Sequence, residues 1–494
     1  MTRRAARPAA ATTLALLAAA CTVGPNYKKP DLPTPATYAE AQSTPRTQVN
    51  AADADLSAWW TQFHDPVLDR LITRALTNNP DVQTALSRVR ESRQVERQTA
   101  AAEYPSLSAG ANVVTFRSNR SSPSASGSSG SSSGGSASTS PAGQSGFALP
   151  THLNLYSVGF DSTWEVDLFG GTRRAIQQAR ANTQAQEWEL RDVEVTLTAE
   201  VANDYLTLRA AQARIAIGEA ELARQRGLFT LVRARRQTGF VTNLDVNQQS
   251  TAVATAAAQI PQLQAQARTQ IHAIGVLLGE PPEALSQDLS AKGAIPPPPP
   301  MLPLGLPSQL LERRPDVREA ERRLAAATAG IGVQTANLYP KLTLYPFGSF
   351  ASNDIDTLFD AHSLAAAGLA RLTQPIFDAG KRIAAVRAAR EEREQALIAY
   401  KSAVLGSLRD VEDALTRYEN EESRRMNLIQ AADAARGSLK IAQDQYTTGF
   451  VPFINVYQSE NALLNAEDQL TQSDAAVASD LVSVYKALGG GWRQ

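Results

Sequence analysis

The sequence predicts an α+β membrane protein made of two copies of one strand–strand–helix unit. Three observations carry that prediction: a recurring set of motifs, segments that alternate apolar and polar residues, and helical stretches too long for a compact domain. Pro80-Asp81-Val82 returns as Pro315-Asp316-Val317, and Tyr104-Pro105 returns as Tyr339-Pro340, both 235 positions on (315 − 80 and 339 − 104). Thr238-Gly239-Phe240-Val241 returns as Thr448-Gly449-Phe450-Val451, and Leu278-Gly279 as Leu488-Gly489, both 210 on (448 − 238 and 488 − 278). Self-similarity of this kind marks one structural unit used twice.

The offset changes because the first copy is longer between its strands. Tyr104 to Phe169 is 65 residues and Tyr339 to Phe377 is 38, a surplus of 27 (65 − 38). The surplus falls in Ser118 to Gly146, nearly all Ser, Gly, Ala and Thr. Such a tract buries too little apolar surface to offset its chain entropy and reads as a flexible surface loop.

Four segments carry the period of two that suits a strand. The clearest places Tyr156, Val158, Phe160, Ser162, Trp164, Val166 and Leu168 on one face, and Ser157, Gly159, Asp161, Thr163, Glu165 and Asp167 on the other. Leu107, Ala109, Ala111 and Val113 alternate more weakly, and Leu342 to Phe350 and Leu364 to Phe377 are the second-copy partners. The strands are expected at about 104–116, 153–169, 339–350 and 364–377. An apolar, aromatic face backed by a polar one is the pattern of a barrel strand between lipid and water. A single such strand would equally suit a soluble sandwich; four long ones, in two hairpins amid long helices, favour the barrel. Four strands cannot close a membrane barrel, and an open edge in hydrocarbon leaves backbone groups unpaired. Copies of the chain must therefore pool their strands, two giving eight and three giving twelve.

Each strand pair leads into a long helical stretch, from about Thr172 to Gln237 and from about Lys381 to Thr447. Continuous helices of that length would each reach roughly 100 Å. Each ends at Thr-Gly-Phe-Val, where glycine can take positive φ and stop the helix. A helix then returns, Leu244 to Leu278 and Phe453 to Leu488. Val246, Val253, Ile260, Ala267 and Ile274 fall seven apart, as do Val456, Leu463, Leu470, Val477 and Val484. A strict seven-residue stripe keeps one seam against a partner helix. The remaining surface is largely polar, which suits the wall of a water-filled tube; a solid coiled-coil rod is the simpler alternative. Pro80 and Pro315 open two further helices, since Pro suits the first helical turn and Asp its positive end. Ile295 to Pro307 is a polyproline-type connection.

Composition excludes several classes. The net charge is −1, so no bulk field draws nucleic acid. The one cysteine, Cys21, rules out an internal disulfide framework. His64, His152, His272 and His362 are scattered without metal spacing, and no phosphate-binding Gly-Lys motif follows a strand. No enzyme and no cofactor are expected. At the N-terminus, Arg3, Arg4 and Arg7 precede an apolar stretch from Ala9 to Ala20, too short to span a membrane and read as a signal peptide over 1–20. It runs into Ala18-Ala19-Ala20-Cys21, which resembles a bacterial lipoprotein signal. That resemblance implies an N-acyl and S-diacylglycerol (palmitate-type) modification of Cys21; ordinary cleavage with a free thiol is the alternative. Thr22 follows in place of Asp, which by resemblance to the bacterial sorting pattern permits transfer to the outer membrane.

The chain resembles the outer membrane factors of tripartite efflux systems, the TolC-type outer membrane efflux proteins, in their lipoprotein NodT-like branch. The residues that carry the resemblance are Cys21-Thr22-Val23-Gly24-Pro25-Asn26-Tyr27 with Pro30, Trp59-Trp60 with Asp65-Pro66, and Asn79-Pro80-Asp81-Val82. The paired Tyr-Pro strand starts, Phe169-Gly170-Gly171, the two Thr-Gly-Phe-Val turns and Ala487-Leu488-Gly489-Gly490-Gly491-Trp492 complete the set. The family implies a trimeric 12-stranded outer-membrane β-barrel, four strands per chain, continued by a long periplasmic α-helical barrel with an equatorial domain. Expected boundaries are a lipidated equatorial segment at 21–65, a first repeat at 66–285, a Pro-rich linker at 286–307 and a second repeat at 308–494.

The function the resemblance implies is that of a passive Gram-negative outer-membrane duct for drugs or other small molecules. It implies a homotrimer, outer-membrane lipid, a periplasmic membrane-fusion adaptor protein and an inner-membrane transporter of the resistance-nodulation-division (RND) type as partners. Adaptor contact falls at the periplasmic tip, Thr238, Gly239, Phe240 and Val241 with Thr448, Gly449, Phe450 and Val451. Gate candidates are Asp245, Tyr446, Asn455 and Gln458, with Tyr446 matching a residue that helps hold relatives closed. Asn455 and Gln458 stand where relatives often carry acids. A periplasmic adaptor or a structural coiled-coil lipoprotein without a pore is the competing reading; two equivalent hairpins and the barrel strands argue against it.

Overall fold

The computed structural model describes residues 22–33, 35–40, 47–49, 56–117, 152–299, 302–304, 307 and 312–492. Cys21, the Ser118 to Gly146 tract and part of the proline-rich connection lie outside the described residues. The chain divides into two units. The first comprises Met1–Gly24, Arg97–Ile176 and Gly332–Arg387, and the second comprises Pro25–Glu96, Gln177–Ile331 and Ala388–Gln494.

The first unit holds a four-stranded antiparallel sheet: β2 (Ser106–Arg117), β3 (His152–Val166), β5 (Lys341–Ser352) and β6 (Leu364–Thr373), in that order. Each copy supplies a hairpin, and β3 joins β5 in the middle with Tyr156 opposite Ser352 and Trp164 opposite Leu344. β2 and β6 are left as edges among the described residues. β2 and β6 are exposed along their whole length, and no second sheet packs on this one among the described residues. Leu107 is 73% exposed, Phe160 61% and Leu372 67%. A soluble sandwich would bury one of its faces, so the sandwich alternative has no counterpart here.

The strands stop where the polar and proline residues make them stop. β3 ends at Val166, and Leu168 lies beyond it, because Asp167 turns to accept from the Arg173 backbone N–H (2.9 Å) at the start of the next helix. β6 ends at Thr373, ahead of Pro375, which has no N–H to give a ladder. Ile376 and Phe377 follow as non-strand residues, 98% and 89% exposed. Phe169 stacks on Tyr339 (4.6 Å between centroids), so the junction that follows β3 touches the residues that lead into β5.

The second unit is helical. It holds β1 (Thr47–Val49), paired in parallel with β4 (Leu302–Leu304), and α1 (Pro66–Asn78); it also holds most of α2 (Pro80–Ala100), α3 (Gly171–Gln237), α6 (Pro315–Ala336) and α7 (Lys381–Thr447), with α4 (Asn243–Leu277), α5 (Ser286–Leu289) and α8 (Phe453–Ala487). The repeat is exact in length: α3 and α7 have 67 residues each, α4 and α8 have 35 each. Local chemistry sets the helix starts. Asp65 caps α1, accepting from Val67 N (2.8 Å) with Pro66 at the first position. Asn79 caps α2 in the same way through Asp81 N (2.7 Å), ahead of Pro80.

The main core gathers α1, α3, α4, α7 and α8 around Trp59, Phe63, Ile72, Tyr205, Tyr418 and Tyr485. Trp59 stacks on Tyr485 at 5.2 Å, and Trp188 meets Trp492 edge-on at 5.3 Å. The seven-residue seam is buried in the second copy at Val456, Leu463, Val477 and Val484. The first-copy seam is buried only in its second half, at Ala267 and Ile274; Val246, Val253 and Ile260 are half-buried, and there the buried line shifts to Ala252, Ala256 and Leu263. Small alanines let α4 approach its neighbours on that shifted face, and its Pro261 interrupts the regular helix ladder. No helix among the described residues is long and apolar enough to cross a membrane.

Candidate functional site: the two hairpin turns

The backbone of the turns is the same in both copies. Gly239 and Gly449 take φ of +84° and +81°. Phe240 N bonds to Arg235 O (3.0 Å) and Gly239 N to Arg236 O (3.1 Å); Phe450 N bonds to Gln445 O (2.8 Å) and Gly449 N to Tyr446 O (3.1 Å). These paired bonds close the carbonyl end of each helix, and the closure needs a left-handed residue at the glycine. Thr238 and Thr448 add a hydroxyl bond back to Arg235 O and Gln445 O, both 3.0 Å. Phe240 and Phe450 stand out in solvent, 83% and 84% exposed.

The side chains differ. In the first turn Thr242 and Asp245 form a capping box: the Thr242 backbone N–H and Oγ1–H each reach Asp245 Oδ2 at 2.8 Å. Asp245 is thus committed to its own helix start. In the second turn Pro452 takes the cap position without a side-chain bond. Asn455 and Gln458 are exposed on α8.

Tyr446 is 4% exposed, in a cluster with Val232 of α3 and Leu439, Ala442, Phe453, Val456 and Leu463 of the second hairpin. Phe453 meets its ring at 5.7 Å and 64°. The Arg235 guanidinium lies over the ring, 4.3 Å from its centroid. Arg235 also donates to Tyr446 O (3.2 Å) and Thr447 O (3.3 Å). A cation there satisfies the last carbonyls of α7 and meets the negative end of its dipole. The first hairpin therefore clamps the second through Arg235, with Val232 packed in the same cluster. The Tyr446 hydroxyl is buried with no hydrogen-bond partner.

Sequence reading singled out Tyr446 but not Arg235 or Phe453, which hold it. The signal was present in the repeat: 210 residues apart, Arg235 faces Gln445, Arg236 faces Tyr446 and Asn243 faces Phe453. Positions that diverge inside an otherwise matching turn are those with separate work.

The segment after Cys21 is fixed within the first unit. Val23 N donates to Phe169 O (3.1 Å), and Arg174 donates to Val23 O and Gly24 O, both 3.1 Å. Thr22 packs against Gly170, whose φ is +78°. Residue 22 is thereby held at the strand-to-helix junction. No group of three or more potential metal ligands occurs among the described residues.

The sequence profile of the outer membrane efflux proteins matches residues 71–280 and 306–490. The pyoverdine export outer membrane protein OpmQ of Pseudomonas aeruginosa is 31% identical over 452 residues, covering 89% of this chain and 88% of that protein. The cation efflux system protein CusC of Escherichia coli is 30% identical over 489 residues, 97% of this chain and 98% of its own. Among solved structures, the outer-membrane channel OprN superposes with a TM-score of 0.85 at 32% identity, over 96% of this chain and 100% of that one.

Proposed function

The chain belongs to the outer membrane efflux protein family and is an outer-membrane efflux channel component, and on that premise we propose that it works as a homotrimer gated at its two hairpin turns. The single observation that carries the trimer is the sheet of four strands whose two edge strands are exposed throughout and unpaired on their outer sides among the described residues. Hydrocarbon does not tolerate open edges, and three sheets of four close a twelve-stranded barrel. The strands lie in the outer membrane and the helices in the periplasm. Acyl chains on Cys21 anchor the N-terminus beside the strand-to-helix junction, where Val23 and Gly24 are held.

The half-buried seam of Val246, Val253 and Ile260 suits contact with a neighbouring copy. The turns carrying Phe240 and Phe450 meet a periplasmic adaptor, which links the duct to an inner-membrane RND-type transporter. Tyr446, clamped between Arg235 and Phe453, holds the closed arrangement, with Asn455 and Gln458 facing the aqueous path. The cargo is a small molecule. OpmQ's pyoverdine and CusC's cations bracket the range of such cargo, and the uncharged Asn455 and Gln458 speak against a carboxylate ring that gathers cations.

The test is the mass of the detergent-solubilised protein from the outer-membrane fraction. A trimer is expected. A soluble monomer would place the alternating strands against a protein partner and remove the duct.

A further inference from the structure

Close to the two turns, a polar group is sealed between helices. Glu460, two turns into α8, is 0% exposed, and Glu221 on α3 is 1% exposed. They share one cation. Arg224 donates to Glu221 Oε2 at 2.6 Å through Nη2 and stands 3.4 Å from Glu460 Oε1 through Nε. Gln225 occupies the other oxygen of Glu221 at 2.5 Å, and Gln249 of α4 donates to Gln225 O at 2.9 Å. Both carboxylate oxygens of Glu460 lack a hydrogen bond.

With both acids ionised, two sealed carboxylates share one cation, Arg224, whose side chain is 35% exposed, and one negative charge is left over. Burial, then the neighbouring Glu221 charge, raises Glu460 to about 7, against the lowering by Arg224. Glu221 and Arg224 are the charged groups that act on it; α4 brings the neutral Gln249, and α7 brings apolar Leu439 to the adjoining cluster.

The cluster is absent from the other copy. At the matching positions 210 residues away, Glu221, Arg224 and Gln225 become Ala431, Ala434 and Ala435, Gln249 becomes Ser459, and Glu460 becomes Ser250. Helix packing in this fold therefore does not require it. A buried, half-neutralised acid pair costs stability unless it takes a proton, and retaining one at a junction between hairpins calls for another reason.

We propose that Glu460, Glu221 and Arg224 form a proton-operated latch tying α8 to α3, which favours the packed arrangement of the hairpins when Glu460 is protonated and loosens it when Glu460 ionises. This rests on the channel reading given above. When the helices part, water reaches Glu460 and its affinity for protons returns to the ordinary carboxylate value. The packed state binds the proton more tightly, so its advantage is complete below about 4.5 and is lost as pH rises to about 7. The difference of 7 − 4.5 limits the shift in the closed-to-open ratio to about 300-fold.

The experiment uses the full-length protein in two readouts. Infrared difference spectra of wild type against Glu460→Gln report the carboxylic acid directly; its absorption should disappear with a midpoint near 7. Single-channel recording in planar bilayers should show leak conductance rising between about pH 5 and 7 and flat above, while Glu460→Gln stays at the low-pH level throughout. Glu221→Gln frees Arg224 to neutralise Glu460 and should move the infrared midpoint down by about one unit or more. A midpoint in the ordinary carboxylate range, or conductance curves that superpose for wild type and Glu460→Gln, would overturn the latch. No conductance at any pH in either protein would defeat the channel reading instead, and the infrared titration would still decide whether the buried acids hold a proton.

Discussion

At the first turn, Arg236 reaches Asn243 through a 2.8 Å hydrogen bond in contact with water. At the second, the same two positions hold Tyr446 and Phe453, packed edge to face and buried. The glycine conformations and closing hydrogen bonds are the same in both. Duplication has preserved the geometry that reverses the chain, which depends on backbone alone. What has diverged is attachment. The first turn is stabilised by its own residues, Thr242 and Asp245; the second is stabilised by its own Phe453 together with Arg235 and Val232 from the first hairpin. A movement that separates the hairpins leaves the first turn intact and unpacks the second.

The largest effect should follow from Tyr446→Ala. Removing a buried aromatic costs about 3 kcal/mol or more, and the loss falls on the contact between hairpins. Amide exchange should accelerate across residues 439–463, and leak conductance should rise. Arg236→Ala, at the matching position, should change stability by no more than about 0.5 kcal/mol. Tyr446→Phe separates packing from polarity: the hydroxyl has no partner among the described residues, so the phenylalanine variant should be nearly neutral. Equal effects of the alanine substitutions in the two turns would erase the contrast. A leak in Tyr446→Phe would show that the hydroxyl bonds to a neighbouring copy.

Much of this was legible in the sequence because it is local. The Thr-Gly-Phe-Val turns, the Pro80 and Pro315 helix starts and the four strands each follow from a few adjacent residues, and the helix bounds fall within a residue of those read from periodicity. The first half of the α4 seam was not legible, although Ala267 and Ile274 are buried as the stripe predicts. A seven-residue stripe fixes which face is apolar, but how far it is buried depends on what stands opposite, and there the contacts move to Ala252 and Ala256. Nor was the attachment of Tyr446 legible, since Arg235 lies 211 positions away (446 − 235) and looks like an ordinary basic residue near a helix end. Glu460 and Glu221 read as solvated polar residues because nothing in their neighbours announces that both are sealed.

A smaller effect, equal in the two copies, should follow from Gly239→Ala and Gly449→Ala. Both positions have φ above +80°, and an added Cβ meets nothing within 4 Å at either. The cost is then the left-handed backbone penalty alone, roughly 1–2 kcal/mol each. Amide protection of Phe240 and Phe450, whose N–H groups close the turns, measures it. Unequal losses would mean that one turn is held by its surroundings and would break the claim that the backbones are equivalent.

The smallest effect concerns the caps. Thr242→Ala removes the hydroxyl that Asp245 N uses (3.4 Å) and half of the capping box, at a cost of about 1 kcal/mol. Pro452 has no such bond to lose, so Pro452→Ser should stabilise the start of α8, by up to about 1 kcal/mol, provided the serine keeps the extended backbone that Pro452 adopts at φ −71° and ψ 160°. Fraying of the first turn of each helix, read from amide exchange at residues 243–246 and 453–456, should move in opposite directions for the two substitutions. If Pro452→Ser loosened α8 instead, proline rigidity rather than the buried Phe453 and Tyr446 would be holding the second turn, and the division between a self-capped first turn and a bundle-anchored second one would have to be redrawn.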